Sequence, residues 1–182
     1  MSIILFSLAS CGGKPEKKEA TDISNDILKR AYVLSVVCYG EGLEYIDDGI
    51  VSGLVYADVS PSAPFQTKPQ LENEIDAVFT KDLATTLKEI CFLGQSGLVS
   101  STGNNARYLY YSNEEFLKVY KHIEGFEIGV PDISKTEITK IKSKEIKGTV
   151  TYENGECGEF VLKKENGNWK LDSLLFMQAI SE

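Results

Sequence analysis

The two dipeptides Asn154-Gly155 and Asn166-Gly167 constrain this chain most. Asn-Gly between alternating segments signals a hairpin, because both residues accept the positive φ that a tight turn needs. Ile133 to Ile141 and Glu145 to Tyr152 alternate polar and apolar residues, so the C-terminal part reads as an antiparallel meander. Register follows from the side chains. A two-residue loop at Asn166-Gly167 sets Lys164 opposite Trp169, Leu162 opposite Leu171 and Phe160 opposite Ser173. Phe160, Leu162, Trp169 and Leu171 then share one face, as a core requires. A two-residue loop at Asn154-Gly155 would send Val150 and Tyr152 to the other face. A three-residue loop, Asn154-Gly155-Glu156, pairs Val150 with Phe160 and keeps the core face continuous, so a bulged hairpin is expected there.

Upstream the period changes. Ile23, Ile27, Ala31, Leu34 and Cys38 recur at helical spacing, predicting a helix over 22–39 capped by Asp22 or Ser24 and ended by Gly40 and Gly42. Residues 50–59 suit a short strand, and Ser60-Pro61-Ser62-Ala63-Pro64 breaks regular structure. Thr67 caps a second helix with Pro69 in its first turn and Leu71, Ile75, Val78 and Phe79 on its apolar face. Thr80 opens a third, with Leu83, Leu87, Ile90 and Cys91 inward. Gly94 to Asn105 reads as a turn-rich connection and Ala106 to Tyr111 as a strand. Ser112-Asn113-Glu114-Glu115 matches a capping box, predicting a short helix with Phe116, Val119 and Tyr120 inward; a strand competes there. Helices followed by an antiparallel meander predict an α+β fold, with the N-terminal helices packed on one face of a curved antiparallel sheet.

Composition narrows the function classes. A net charge of −8 gives no affinity for phosphate backbones, so no nucleic-acid partner is expected. Cationic proteins are the natural complement of such a surface, and the chain reads as a monomer. The single histidine, His122, cannot build a two-histidine metal site, and no nucleophile motif accompanies it. Gly94-Gln95-Ser96-Gly97 lacks the lysine of a phosphate loop. The acidic loop from Glu41 to Asp48 lacks the alternating ligands of a calcium loop. No catalytic residue, metal or cofactor is therefore assigned. Cys38, Cys91 and Cys157 lack zinc spacing. One disulfide among them is open, and buried free thiols are the expectation. The tyrosines Tyr108, Tyr110 and Tyr111 are the candidate protein-binding residues, since tyrosine gives contact area at low entropic cost. Half-buried strand tyrosines are the plainer reading of the same cluster.

The N-terminus adds a second theme. Leu8-Ala9-Ser10-Cys11 follows the apolar run Ile3-Ile4-Leu5-Phe6 and precedes Gly12-Gly13. It resembles the lipobox of bacterial lipoproteins, whose cysteine is acylated and becomes the first residue after cleavage. The resemblance implies lipidation at Cys11 and attachment to a cell membrane or outer membrane, facing the extracytoplasmic side. Residues 1–10 lack the basic n-region of a signal peptide, which predicts a start codon assigned too far downstream. The organisation expected is a signal peptide over 1–10, a flexible linker over 11–21 and one domain over 22–182. The linker lysines could rest against anionic headgroups, although a solvated spacer is the simpler expectation.

Two segments carry a further resemblance. Gly167-Asn168-Trp169-Lys170-Leu171-Asp172-Ser173 is similar to the last strand of cystatin-like and nuclear-transport-factor-2-like lipoprotein domains. The run Val59 to Phe65, Thr67 to Leu71 and Val78-Phe79-Thr80 resembles the D,L-endopeptidase-inhibitor family of Gram-positive bacteria. That resemblance implies occlusion of a cell-wall hydrolase, a cysteine peptidase that cuts peptidoglycan stem peptides. The lipobox departs from it, because familiar members are secreted without a lipid. The alternative is a small-molecule-binding or enzymatic domain on the same cystatin-like scaffold.

Overall fold

The computed structural model describes residues 13–47, 49, 56–93, 110–112, 116–121, 128–173 and 175. Cys11, Tyr108 and His122 lie outside them, as do the predicted 94–105 connection and residues 113–115. The described elements are α1 (Lys17–Tyr39), β1 (Tyr56–Asp58), α2 (Lys68–Val78), α3 (Lys81–Leu93), β2 (Tyr110–Ser112), β3 (Leu117–Tyr120), β4 (Pro131–Ile141), β5 (Glu145–Tyr152), β6 (Cys157–Glu165) and β7 (Asn168–Leu171). The fold is α+β, with a curved antiparallel sheet in the order β4-β5-β6-β7 that does not close into a barrel. A smaller antiparallel sheet runs β1-β3-β2.

The last hairpin has the predicted register: Lys164 pairs with Trp169 and Leu162 with Leu171. Asn166 and Gly167 both take positive φ, as a two-residue turn of this kind requires. The preceding hairpin is corrected by one position. Its loop has three residues, but they are Glu153-Asn154-Gly155, with Tyr152 N–H donating to the Glu156 carbonyl at 2.8 Å. Phe160 therefore faces Gly148, and Val150 faces Gly158. The core face survives because the two registers differ by an even number of residues. The glycine at 148 has a steric cause: a Cβ there would lie 2.6 Å from Cζ of the Phe160 ring. Register shifts in β4 between Asp132 and Glu137 and between Ile138 and Lys140 accompany the curvature of the sheet.

Helix α1 begins at Lys17, five residues before the predicted start, so the expected linker through residue 21 is shorter. Lys17, Lys18, Glu19 and Ala20 favour helix, and Pro15 stands just outside the first turn, where its missing N–H costs nothing. Ala20 is fully buried, so this first turn belongs to the domain. Neither Asp22 nor Ser24 caps the helix; Ser24 is internal and bonds the Ala20 carbonyl at 2.8 Å. Helix α2 has the predicted cap: Thr67 Oγ1 accepts from Gln70 N–H at 3.3 Å, and Gln70 Oε1 accepts from Thr67 N–H at 3.1 Å. Leu71, Ile75, Val78 and Phe79 are buried as predicted. In α3, Leu87, Ile90 and Cys91 are buried, whereas Leu83 is only partly so and Ala84 takes the inner position.

Leu28, Leu34, Phe79, Phe160, Ile146 and Leu162 are among the largest fully buried side chains of the core between helices and sheet. Thr80 ties the layers together. Its N–H donates to the Leu171 carbonyl and its hydroxyl to Asp172 Oδ1, both at 2.9 Å. These contacts cover the β7 edge of the sheet. Trp169 shares the core face but is only partly buried, with Lys164 Nζ 5.6 Å from its ring centroid. Cys38 and Cys91 are joined in a disulfide linking α1 to α3, the open alternative, and Cys157 is exposed, which corrects the expectation of buried free thiols. Their Cα atoms lie 5.0 Å apart because each helix presents its cysteine on the face turned to the other.

Candidate protein-binding face

The short helix predicted after Ser112 is a strand instead. Residues 117–120 pair as a strand, with Leu117 and Val119 buried on one face and Phe116 exposed on the other, where Tyr120 is also buried, against Tyr56. Tyr56 to Asp58 pairs antiparallel with Tyr120 to Lys118, and Tyr110 to Ser112 pairs with Val119 to Leu117. A further extended segment adds to the β1 edge: Ile46 N–H donates to the Asp58 carbonyl at 2.9 Å, and Ser60 N–H to the Glu44 carbonyl at 2.8 Å.

This ladder sorts the residues onto two faces. Ala57, Val59, Leu117, Val119 and Tyr110 turn into the core. Ile46, Asp58 and Lys118 form a row on the opposite face, with Phe116 two residues beyond Lys118. Ile46 is 52% exposed and Phe116 56%, the two most exposed large hydrophobic side chains described. Asp58, Gln66, Phe116 and Lys118 line a shallow cleft of about 260 Å³. Lys118 Nζ sits 2.8 Å from Asp58 Oδ1 at its rim. Behind it the loop is rigid: Gln66 Nε2 donates to the Ser60 and Ala63 carbonyls at 2.9 and 3.0 Å, and the Gln66 carbonyl accepts from Leu117 N–H at 2.8 Å.

Of the three predicted tyrosines, Tyr110 is a correction. It is 2% exposed, and its hydroxyl donates to the Val37 carbonyl at 2.7 Å and accepts from Leu43 N–H at 3.0 Å. Burial pushes its phenol well above the usual range, against a smaller downward pull from the Leu43 N–H. Its ring is therefore structural and offers no contact surface. Tyr111 falls at the register position opposite Lys118. Sequence reasoning passed over Ile46 and Phe116. Ile46 was hidden in an acidic loop, and the helical reading turned Phe116 inward; a strand reading of 116–120 would have placed it outside.

A second cleft, of about 610 Å³, is lined by Tyr152, Glu156, Cys157, Gly158, Glu159, Ser173 and Leu175. Its thiol lies 3.6 Å from Thr151 Oγ1, and no basic side chain is among the described residues that line the cleft. Among the described residues, no group of three or more His, Cys, Asp or Glu is placed to hold a metal ion. No described helix is long and apolar enough to cross a membrane. No protein-family model matches the chain, and no curated protein matches it.

Proposed function

We propose that this chain is a lipid-anchored protein of the bacterial envelope whose non-catalytic domain binds, and thereby inhibits, a peptidoglycan D,L-endopeptidase. The observation that carries the binding reading is the exposure of Ile46 and Phe116, the first beside the Tyr45–Val59 bridge and the second immediately before β3. Apolar side chains held in water by a rigid scaffold, with a charged pair at the rim, suit a protein contact. A folded sheet that presents them loses little entropy on binding.

Two features support the envelope setting. Leu8-Ala9-Ser10-Cys11 supplies the acylation signal at Cys11, and the Cys38–Cys91 disulfide suits an oxidising compartment. The peptidase as target rests on the resemblance of Val59 to Thr80. The contiguous buried apolar cluster that described residues form between α1 and the large sheet supports a protein-binding role over a small-molecule carrier at that position.

Radioactive fatty acid fed to cells should label the native chain and not Cys11→Ser, which should fold normally and leave the membrane fraction at high salt. A Cys11→Ser chain that still takes up label sinks the anchor. Immobilised chain should retain a peptidoglycan D,L-endopeptidase from envelope extract, and failure to retain one sinks the inhibitor reading.

A further inference from the structure

The chain is acidic overall, yet one end of the large sheet is basic. Lys140, Lys142 and Lys144 are exposed around the β4–β5 turn, and Lys147 follows on β5. Lys140 and Lys147 are register partners, so two like charges stand directly opposite each other. Such a pair destabilises a sheet, and among the described residues no ion pair offsets it. Lys140, Lys144 and Lys147 make no ion pair with a described residue, whereas Lys142 meets Glu145 at 3.4 Å. Next along the same end, Lys164 lies against the Trp169 ring. The other end of the sheet has the opposite sign, with Glu153, Glu156 and Glu159 exposed around the β5–β6 turn.

Helix α1 runs along this axis. Its C-terminal end lies at the start of β4, where a Cβ on Gly40 would come 3.2 Å from Ile128 Cγ1. Tyr32, two turns earlier, feels the charge of Glu153 at the acidic end. The helix packs more on β4 than on any other element, and its length of roughly 34 Å matches that of the strand. Its N-terminus therefore points to the lysine end, where Lys14, Lys17 and Lys18 are exposed together with Glu16 and Glu19. Pro15 is buried against the domain. From there to Cys11 the chain reaches at most roughly 14 Å.

We propose that the lysine end of the sheet, Lys140, Lys142, Lys144 and Lys147, docks on an anionic lipid surface. The inference rests on the lipid-anchor reading for its choice of partner, since a lipid on Cys11 would bring this end within reach of headgroups. Docked so, the domain stands with its acidic end away from the negative bilayer, and the sheet is held in one orientation rather than swinging on a leash.

The test uses full-length chain carrying Cys11→Ser, so that no acyl group contributes. It should co-sediment with vesicles of equimolar phosphatidylglycerol and phosphatidylcholine, and not with phosphatidylcholine alone. Added salt should release it. Each lysine neutralised to Gln should weaken binding about fivefold. Lys142→Gln with Lys144→Gln changes only exposed turn residues, so the fold is retained; the set of four should abolish binding. Equal binding to both vesicles, no binding to either, or binding to a soluble polyanion without vesicle binding overturns the proposal. A chain that fails to bind vesicles but is acylated in cells keeps the anchor and loses the docking face. A chain that binds vesicles but takes up no fatty acid does the reverse.

Discussion

The hydroxyl of Tyr110 donates to the carbonyl of Val37 at 2.7 Å, joining β2 to the last turn of α1. The same oxygen accepts from Leu43 N–H, so one buried phenol satisfies two backbone groups at the helix end. Tyr110→Phe should leave both unpaired and lower stability by about 1–3 kcal/mol. Tyr110→Ala should add a cavity, for about 3–5 kcal/mol in total. Urea unfolding measures both. A Phe variant as stable as the parent would mean that water replaces the hydroxyl.

Tyrosine burial also sets an alkaline limit. Burial, with a smaller push from Glu156, raises the Tyr152 phenol to about 12, and burial raises Tyr39 and Tyr110 further. In the unfolded chain these groups release their protons near pH 10, about the free-tyrosine value. Above that pH the unfolded state binds fewer protons than the native state, so stability falls as pH rises. Their contribution is intact below about pH 10 and is lost progressively above it. Melting temperature followed from pH 8 to 12 should drop on the alkaline side, with phenolate absorbance appearing together with unfolding. A flat profile would contradict the burial of these rings.

The disulfide closes a long loop, with a sequence separation of 53 between Cys38 and Cys91. Its removal should cost about 2–5 kcal/mol. In a Cys11→Ser chain unfolded without reductant, alkylation should label Cys157 alone; reduction should expose Cys38 and Cys91 as well. Label on Cys38 before reduction would show the bond absent.

Phe160 and Gly148 form a cross-strand pair with no room for a methyl group. Gly148→Ala should collide with the Glu137 carbonyl of β4 as well as with the ring, so that strand backbone and ring must both shift, at a cost of at least about 1–3 kcal/mol. Phe160→Ala should cost about 3–5 kcal/mol, and Trp169→Ala clearly less, because Trp169 is only partly buried. Denaturant midpoints order the three. Trp169→Ala as damaging as Phe160→Ala would place the indole deeper than the register allows.

The meander was legible because alternation and Asn-Gly turns are local signals. Its one slip, the hairpin loop shifted to Glu153, arose because the bulged turn puts Gly155 last in the loop, and sequence alone did not rank that against Gly155 in the middle. Helix α1 was legible from Ile23 onward but not at its start, where Lys17 to Ala20 read as linker until the burial of Ala20 showed otherwise. The Cys38–Cys91 bond could not be read, since it depends on how two helices cross. The candidate face was least legible. Tyr110 and Phe116 exchanged roles, the tyrosine going inward and the phenylalanine outward, because strand parity in a three-stranded sheet is fixed by long-range pairing.

Inhibition by that face is the most direct test of the account. Purified chain should be titrated into a peptidoglycan D,L-endopeptidase digesting cell walls, beside a variant carrying Ile46→Ser and Phe116→Ser. Both positions are exposed, so the variant should melt with the parent. The account predicts that the parent suppresses release of stem peptides and that the variant does so at least tenfold less well, about 1.4 kcal/mol of lost binding. Undiminished release with the parent, or equal suppression by the variant, would contradict it.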